Sequence, residues 1–292
     1  MLSYRHGFHA GNFADVLKHS VLIEMVSYLA QKNKPFCVID THAGSGKYAL
    51  NSEYALKTRE FEHGIGKLWD HPVPPRIVAN YINLQKRFNT PMQGKHALGY
   101  YAGSPLLIKQ LIRPQDRLFL FELHSTEIAL LTSHIRPDKR IQLFHADGLE
   151  KSLNLLPPTE KRGLVFIDPS YELKKDYHEV VTTLIQMHKR FATGCYALWY
   201  PVIERERVQK MEDTFKNSGI HNIELFELGI CAEETTRGMT GCGMIVINPP
   251  WTLKNTMQEA LPWLASTLTQ DQIQHFRLST LAPESSAHAE EN

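Results

Sequence analysis

From Pro35 onward the chain alternates short β-branched and aromatic runs with segments whose apolar residues recur at helical spacing. That alternation restricts it to an α/β sheet with helices on both faces. Strands are expected at residues 35–40, 117–123, 141–145, 164–168, 195–200, 223–228 and 244–248, each ending near a polar or turn residue. Seven strands fit one doubly wound, Rossmann-like sheet, with the last strand entering antiparallel as a hairpin partner of the sixth. Helices fit between them at 177–191 and 203–215, and ahead of them at 15–31, where Leu17, Val21, Leu22, Met25 and Leu29 share one face.

One connection is far too long for this pattern. A βα loop usually takes about two to six residues, yet from Ala49 to Tyr101 the chain runs without a core strand. It contains helix-like runs at 53–69 and 76–88, separated by His71-Pro72-Val73-Pro74-Pro75. The expected organisation is therefore a main domain of residues 1–48 and 102–282, an inserted helical subdomain of residues 49–101 and a flexible polar tail of residues 283–292. The helix after the insertion is expected to start with Ser104 as N-cap and Pro105 at its first position.

The formal net charge of +1 points to no polyanionic partner, but the charge is unevenly distributed along the chain. Residues 51–117 hold ten Lys/Arg against five Asp/Glu. A solvated helical surface explains that excess unless the segment borders an active site. The four cysteines form no C-x-x-C pair, so neither a disulfide framework nor a thiolate zinc site is indicated. No stretch approaches the roughly 20 apolar residues of a membrane span and no apolar leader opens the chain, so a cytoplasmic protein is expected.

The first strand runs into Asp40-Thr41-His42-Ala43-Gly44-Ser45-Gly46-Lys47-Tyr48, a glycine turn at the strand end where α/β sheets bind ligands. A phosphate-cradling G-x-x-x-x-G-K-[ST] loop fails at both ends, on Thr41 and Tyr48. Residues 44–49 fit the dinucleotide pattern G-x-G-x-x-A, but the strand-end acid about 20 residues later is not evident. The D-x-x-x-G-x-G loop of S-adenosylmethionine enzymes is matched at all three positions. Successive strand ends also carry acids: Glu122, then Asp147-Gly148, then Asp168. The first can accept both hydroxyls of a ribose and the second an adenine amino proton. Any one of them alone is more often just a turn residue or helix cap.

The fourth strand ends in Asp168-Pro169-Ser170-Tyr171, close to the D-P-P-Y signature of amino-methyltransferases. The lone pair of an adenine N6 is delocalised into its ring. Asp168 and the Pro169 carbonyl can hold the amine protons and aim that lone pair at a methyl donor, while Tyr171 can stack on an extruded base. A proline-terminated strand with a core tyrosine is the bland alternative. Asn248-Pro249-Pro250-Trp251 matches [DN]-P-P-[YFW] at least as well. Topology separates the two, because an antiparallel strand ending at residue 248 delivers that motif to the opposite edge of the sheet.

Taken together these motifs resemble the bacterial large-subunit ribosomal RNA adenine-N6-methyltransferase J family, formerly described as a DNA-utilisation protein. The resemblance runs nearly the length of the chain. It rests on Leu2-Ser3-Tyr4-Arg5-His6, Phe8-His9-Ala10-Gly11-Asn12, Ala14-Asp15-Val16-Leu17-Lys18-His19, Asp40-Thr41-His42-Ala43-Gly44, Gly103-Ser104-Pro105, Glu122-Leu123-His124 and Tyr196-Ala197-Leu198-Trp199-Tyr200-Pro201. It implies S-adenosylmethionine held by Lys18, His19, His42, Ser104, Glu122, Asp147 and Gly148; catalysis by Asp168 with Pro169 and Tyr171; RNA contacts by Tyr4 and His6; and a monomer without metal. The implied target is adenine 2030 of 23S ribosomal RNA. Without the resemblance, Lys18 and His19 read as solvated helix residues, Ser104 as a plain cap and His42 as a turn residue. Ser170 departs from the family's second proline. It loosens the loop and adds an N–H and a hydroxyl. Three rival readings remain: a DNA adenine methyltransferase, a non-catalytic nucleic-acid-binding protein and a dinucleotide oxidoreductase.

Overall fold

The computed structural model describes residues 5–93, 97–173, 175–233, 238–271 and 273–285. Tyr4 and residues 286–292 of the expected tail lie outside them. After a 3-10 turn at His6–Phe8 comes the long helix α1 (Phe13–Gln31), which leads into β1 (Cys37–Asp40) and the short β2 (Lys47–Ala49). The helices α2 (Glu53–Thr58), α3 (Glu60–His63), α4 (Ile65–Leu68) and α5 (Arg76–Gln93) follow, closed by β3 (Tyr100–Ala102), which pairs antiparallel with β2. Then come α6 (Ser104–Leu111), β4 (Arg117–Glu122), α7 (Ser125–Ile135), β5 (Ile141–His145), α8 (Gly148–Ser152) and β6 (Gly163–Ile167). The chain ends with α9 (Asp176–Arg190), β7 (Cys195–Val202), α10 (Arg205–Lys216), β8 (Ile223–Gly229), β9 (Gly241–Ile247), α11 (Leu253–Leu268) and β10 (His275–Ala282).

The main sheet has eight strands in the order β10-β8-β9-β7-β6-β1-β4-β5. From β7 to β5 the pairing is parallel; β9 is antiparallel to both β7 and β8, and β10 is antiparallel to β8. The α/β class, the seven expected strands and the antiparallel β9 are present. The strand count is corrected by β10, and by the β2–β3 ladder outside the main sheet. β10 was invisible because only Leu281 and Ala282 of its eight residues are buried, so its sequence lacks the alternation that a half-buried strand shows.

α1 lies between the sheet, at β6, β7 and β9, and the helices α5, α6 and α11. Covered on all sides, it is apolar around most of its circumference. Val16, Leu17, Val21, Leu22 and Val26 are fully buried, each contributing about 1.5–3 kcal/mol. The same enclosure buries Asp15, Lys18, His19, Ser20 and Glu24, so Lys18 and His19 are not the solvated helix residues that their local sequence alone suggests. The helices between β2 and β3 place Ile65, Leu68, Trp69, Ile77, Val78 and Tyr81 in the same apolar core as the sheet. α6 begins one residue earlier than expected: Gly103 is its N-cap and Ser104 its first helical residue, which frees the Ser104 hydroxyl for another partner.

Candidate active site

A cavity of about 310 Å³ opens at the carboxyl edge of β1, β4, β5 and β6, where parallel strands leave a crevice for ligands. Its lining includes His6, Lys18, His19, His42, Ser104, Glu122, Asp147, Gly148, Asp168 and Pro169. Of the residues named from the sequence, Tyr171 is not part of the lining, and Tyr4 lies outside the described residues.

The turn after β1 is built around Asp40, which is fully buried. Its Oδ2 accepts from Ser104 Oγ at 2.7 Å and its Oδ1 from the His42 amide at 3.2 Å. Burial pushes this carboxyl up to about 7. Those two hydrogen bonds oppose the shift, and the negative charges of Asp168 and Glu122 add to it. The turn needs two left-handed residues, and glycine supplies both: Gly44 at φ 59° and Gly46 at φ 76°. Glu122 braces the turn, accepting from the Gly44 amide at 2.8 Å and from the His124 amide at 2.7 Å. Burial raises its pKa and these two donors counter the rise. Its carboxylate oxygens keep lone pairs with which to accept a diol.

Asp147 caps α8, accepting from the Leu149 and Glu150 amides at 2.9 and 3.1 Å through the same oxygen, Oδ1. The cap reading of this strand-end acid therefore holds, with Oδ2 outside those two bonds. Gly148 packs against the glycine turn so closely that a Cβ there would stand 2.1 Å from the Thr41 carbonyl. His42 Nδ1 lies 2.7 Å from Thr41 Oγ1, and burial lowers the ring's pKa.

The opposite wall carries charge from α1. Lys18 Nζ is 2.8 Å from Asp15 Oδ1 and 2.7 Å from Asp168 Oδ2, and it lies over the Trp199 ring at 5.3 Å. Asp15 also accepts from the Gly11 amide at 2.7 Å and sits 3.0 Å from His6 Nε2. Burial alone would push the Asp15 carboxyl up. His6, Lys18 and the hydrogen bond with His6 outweigh it and hold the carboxyl well below the usual range. His19, next along the helix, has its ring pKa pulled down to about 3 by burial and is neutral. The sequence did not single out Asp15. Its i,i+3 spacing from Lys18 was the available signal.

Tyr171 is corrected. At φ 51° its ring turns inward, 4.5 Å from Tyr177 and 5.9 Å from Trp199, and its hydroxyl donates to the Trp199 carbonyl at 2.7 Å. The ring is a buried prop beneath Asp168-Pro169-Ser170 and offers no face to the cavity. Asn248 stands at the far edge of the sheet, where its amide donates to the carbonyls of Ala192 and Gly194, both at 2.8 Å, just ahead of β7. Trp251 beyond it is 76% exposed. Among the described residues, none of α2 to α5 lines the cavity. In that segment Arg59 pairs with Glu62, Arg76 with Glu24 and Lys86 with Asp70.

The chain is 46% identical over 284 residues to the Ribosomal RNA large subunit methyltransferase J of Escherichia coli (strain K12), covering 97% of this chain and 100% of that protein. It is 44% identical, with the same coverage, to the protein of the same name from Haemophilus influenzae. A crystal structure of a Legionella pneumophila protein superposes with a TM-score of 0.84 at 36% identity, covering 93% of this chain and 98% of that one. Residues 33–280 match the profile of the family described as Ribosomal RNA large subunit methyltransferase D, RlmJ, and with relatives this similar over nearly its whole length, the chain belongs to that family.

Proposed function

We propose that this protein transfers a methyl group from S-adenosylmethionine to the exocyclic N6 of an adenine in 23S ribosomal RNA, with adenine 2030 as the target. The observation that carries the reading is the placement of Asp168. Lys18 holds one of its oxygens on the rim of a nucleoside-sized cavity whose far side is braced by Glu122. The site's chemistry fits the cofactor. Glu122 suits a ribose diol, Asp147 and Gly148 an adenine edge, and Lys18, His19, His42 and Ser104 surround the space left for an amino-acid end. When bound, the cofactor supplies an electrophilic methyl on a sulfonium.

The chain's own residues do the rest. With Oδ2 fixed by Lys18, Asp168 Oδ1 and the Pro169 carbonyl accept the two N6 protons, drawing the nitrogen toward sp³ geometry. Once methylated, the nitrogen would carry a positive charge, and its surplus proton would pass to solvent or to Asp168. Ser170, on the cavity rim, leaves Asp168 and Pro169 in place, and activity is expected to survive the missing proline. His6, which lines the cavity, and Tyr4, two residues before it, are read as contacts to the RNA. The protein is further read as a cytoplasmic monomer, in keeping with the proposed substrate.

Incubation with labelled S-adenosylmethionine and separated ribosomal RNA and DNA, followed by nucleoside mapping, tests the reading. Label in N6-methyladenosine of 23S RNA is expected. Label in DNA alone would replace the substrate. Cofactor binding without transfer to either would favour a non-catalytic nucleic-acid-binding protein.

A further inference from the structure

Tyr81 on α5 and Tyr101 on β3 are both fully buried, and their hydroxyl oxygens lie 3.2 Å apart. The Tyr101 hydroxyl is also 2.5 Å from His19 Nδ1. Among the described residues, Tyr81 has no other hydrogen-bond partner for its hydroxyl, and His19 Nε2 has none at all.

Two proton arrangements can close this chain around a neutral imidazole. In one, Tyr81 donates to Tyr101 and Tyr101 donates to Nδ1, so the ring carries its proton on Nε2. In the other, Nδ1–H donates to Tyr101, Tyr101 donates to Tyr81, and the Tyr81 proton is left buried without an acceptor. A buried O–H with nothing to accept it is strongly disfavoured. The first arrangement leaves each hydroxyl proton in a hydrogen bond.

We propose that Tyr101, backed by Tyr81, fixes His19 in the Nε2–H tautomer, so that the ring offers a hydrogen-bond donor to the carboxylate of the amino-acid end of S-adenosylmethionine. The ligand half of this rests on the cofactor reading above; the tautomer half does not. Glu122 and Asp147, at the ends of β4 and β5, suit ribose and adenine. The amino-acid end then falls on the other side of the glycine turn, where α1 brings His19 to the cavity. The opposite tautomer would present a lone pair and select the ammonium instead. Tyr101 is thus a positioning residue that sets which polar group the pocket accepts. It belongs to the strand that closes the insertion, which gives those helices a part in cofactor recognition although none of their described residues lines the cavity.

Nitrogen NMR of ¹⁵N-histidine-labelled, ligand-free protein reads the ring directly. The parent is expected to show a protonated Nε2 and a hydrogen-bonded, unprotonated Nδ1 for His19. Tyr101→Phe keeps the aromatic ring and removes the hydroxyl. Nδ1 should lose its hydrogen-bonded shift, and S-adenosylhomocysteine affinity should fall about three- to tenfold. Affinity for 5′-methylthioadenosine, which lacks the amino-acid end, should hold. Tyr81→Phe should retain the Nε2–H ring, because Tyr101 must still place its own proton. A parent ring protonated on Nδ1, or a Tyr101→Phe variant with unchanged ring shifts and an unchanged ratio of the two affinities, overturns the proposal. Failure of the parent to bind either nucleoside while the ring is Nε2–H overturns the cofactor reading and the ligand half with it.

Discussion

Lys18 Nζ stands 2.7 Å from Asp168 Oδ2 while also holding Asp15 Oδ1 at 2.8 Å, so a single buried ammonium joins the core of α1 to the end of β6. Loss of Lys18 would take the shared counter-charge from both carboxylates, at a cost of about 3–5 kcal/mol for breaking a buried pair, whereas loss of Asp168 leaves Lys18 paired with Asp15. The carboxylate proposed to orient the amine is therefore held from behind by the scaffold before any substrate arrives.

The first prediction contrasts the two amino-methyltransferase motifs. Asp168→Ala is expected to reduce methyl transfer by at least about a hundredfold, within the range seen when one preorganised polar group is removed, while cofactor binding persists. Asn248→Ala should leave turnover within about twofold, because its amide only ties the β9 exit to the Ala192 and Gly194 carbonyls at the opposite edge. Single-turnover assays of folded variants decide this, and the reverse pattern would sink the catalytic reading.

The second concerns pH. In the unfolded chain Asp40 titrates near 3.9, whereas in the fold burial holds it at about 7. The folded state keeps a proton that the unfolded state releases, so the Asp40 contribution is fully present below about pH 4 and declines as pH rises toward 7. Asp40→Asn should flatten the stability profile in that window by up to about 1.4 kcal/mol per pH unit. Asp15, held well below its usual range, has the opposite sign, its contribution being lost as pH falls. Denaturant unfolding from pH 4 to 8 measures the difference; parallel curves for parent and Asp40→Asn would contradict it.

Third, Gly148→Ala forces a methyl to within 2.1 Å of the Thr41 carbonyl, where only backbone can give way. A loss of about 1–3 kcal/mol is expected from overpacking, together with weaker cofactor binding as the glycine turn shifts. Gly219→Ala is the control: it meets nothing within 4 Å and pays only for its φ of 76°, about 1–2 kcal/mol, with binding intact. Equal cofactor affinity in the two variants would argue against tight coupling of α8 to the turn.

Fourth, the insertion is expected to help dock RNA. Lys86 lies over the Trp69 ring and pairs with an exposed Asp70, a contact that contributes little by itself. Reversing Lys86 and Arg87 to Glu should raise KM for ribosomal RNA, leave cofactor affinity nearly unchanged and flatten the salt dependence of RNA binding. An unchanged salt slope would move the docking surface to the N-terminal segment around Arg5 and His6.

The strands of the parallel sheet, the antiparallel β9 and the acids at three strand ends were legible because each leaves a local mark, such as a β-branched run, a turn glycine or a polar stop. So was the separation of residues 168–171 from 248–251, since strand direction alone sends the two motifs to opposite edges. The edge strand β10 was not, since its exposed side chains carry little periodic signal. Nor was the enclosure of α1, because a lysine and a histidine in sequence do not reveal whether Asp15, Asp168 and Tyr101 will surround them. Residue patterns alone set the class of fold and the strand-end carboxylates, Glu122, Asp147 and Asp168, that reach the crevice. Packing set how the groups at the site are charged and held: burial raises the Asp40 carboxyl to about 7, Lys18 is shared between two carboxylates and Tyr171 is turned inward. Burial and long-range pairing are properties of the packed chain, and they decide protonation and orientation at the site.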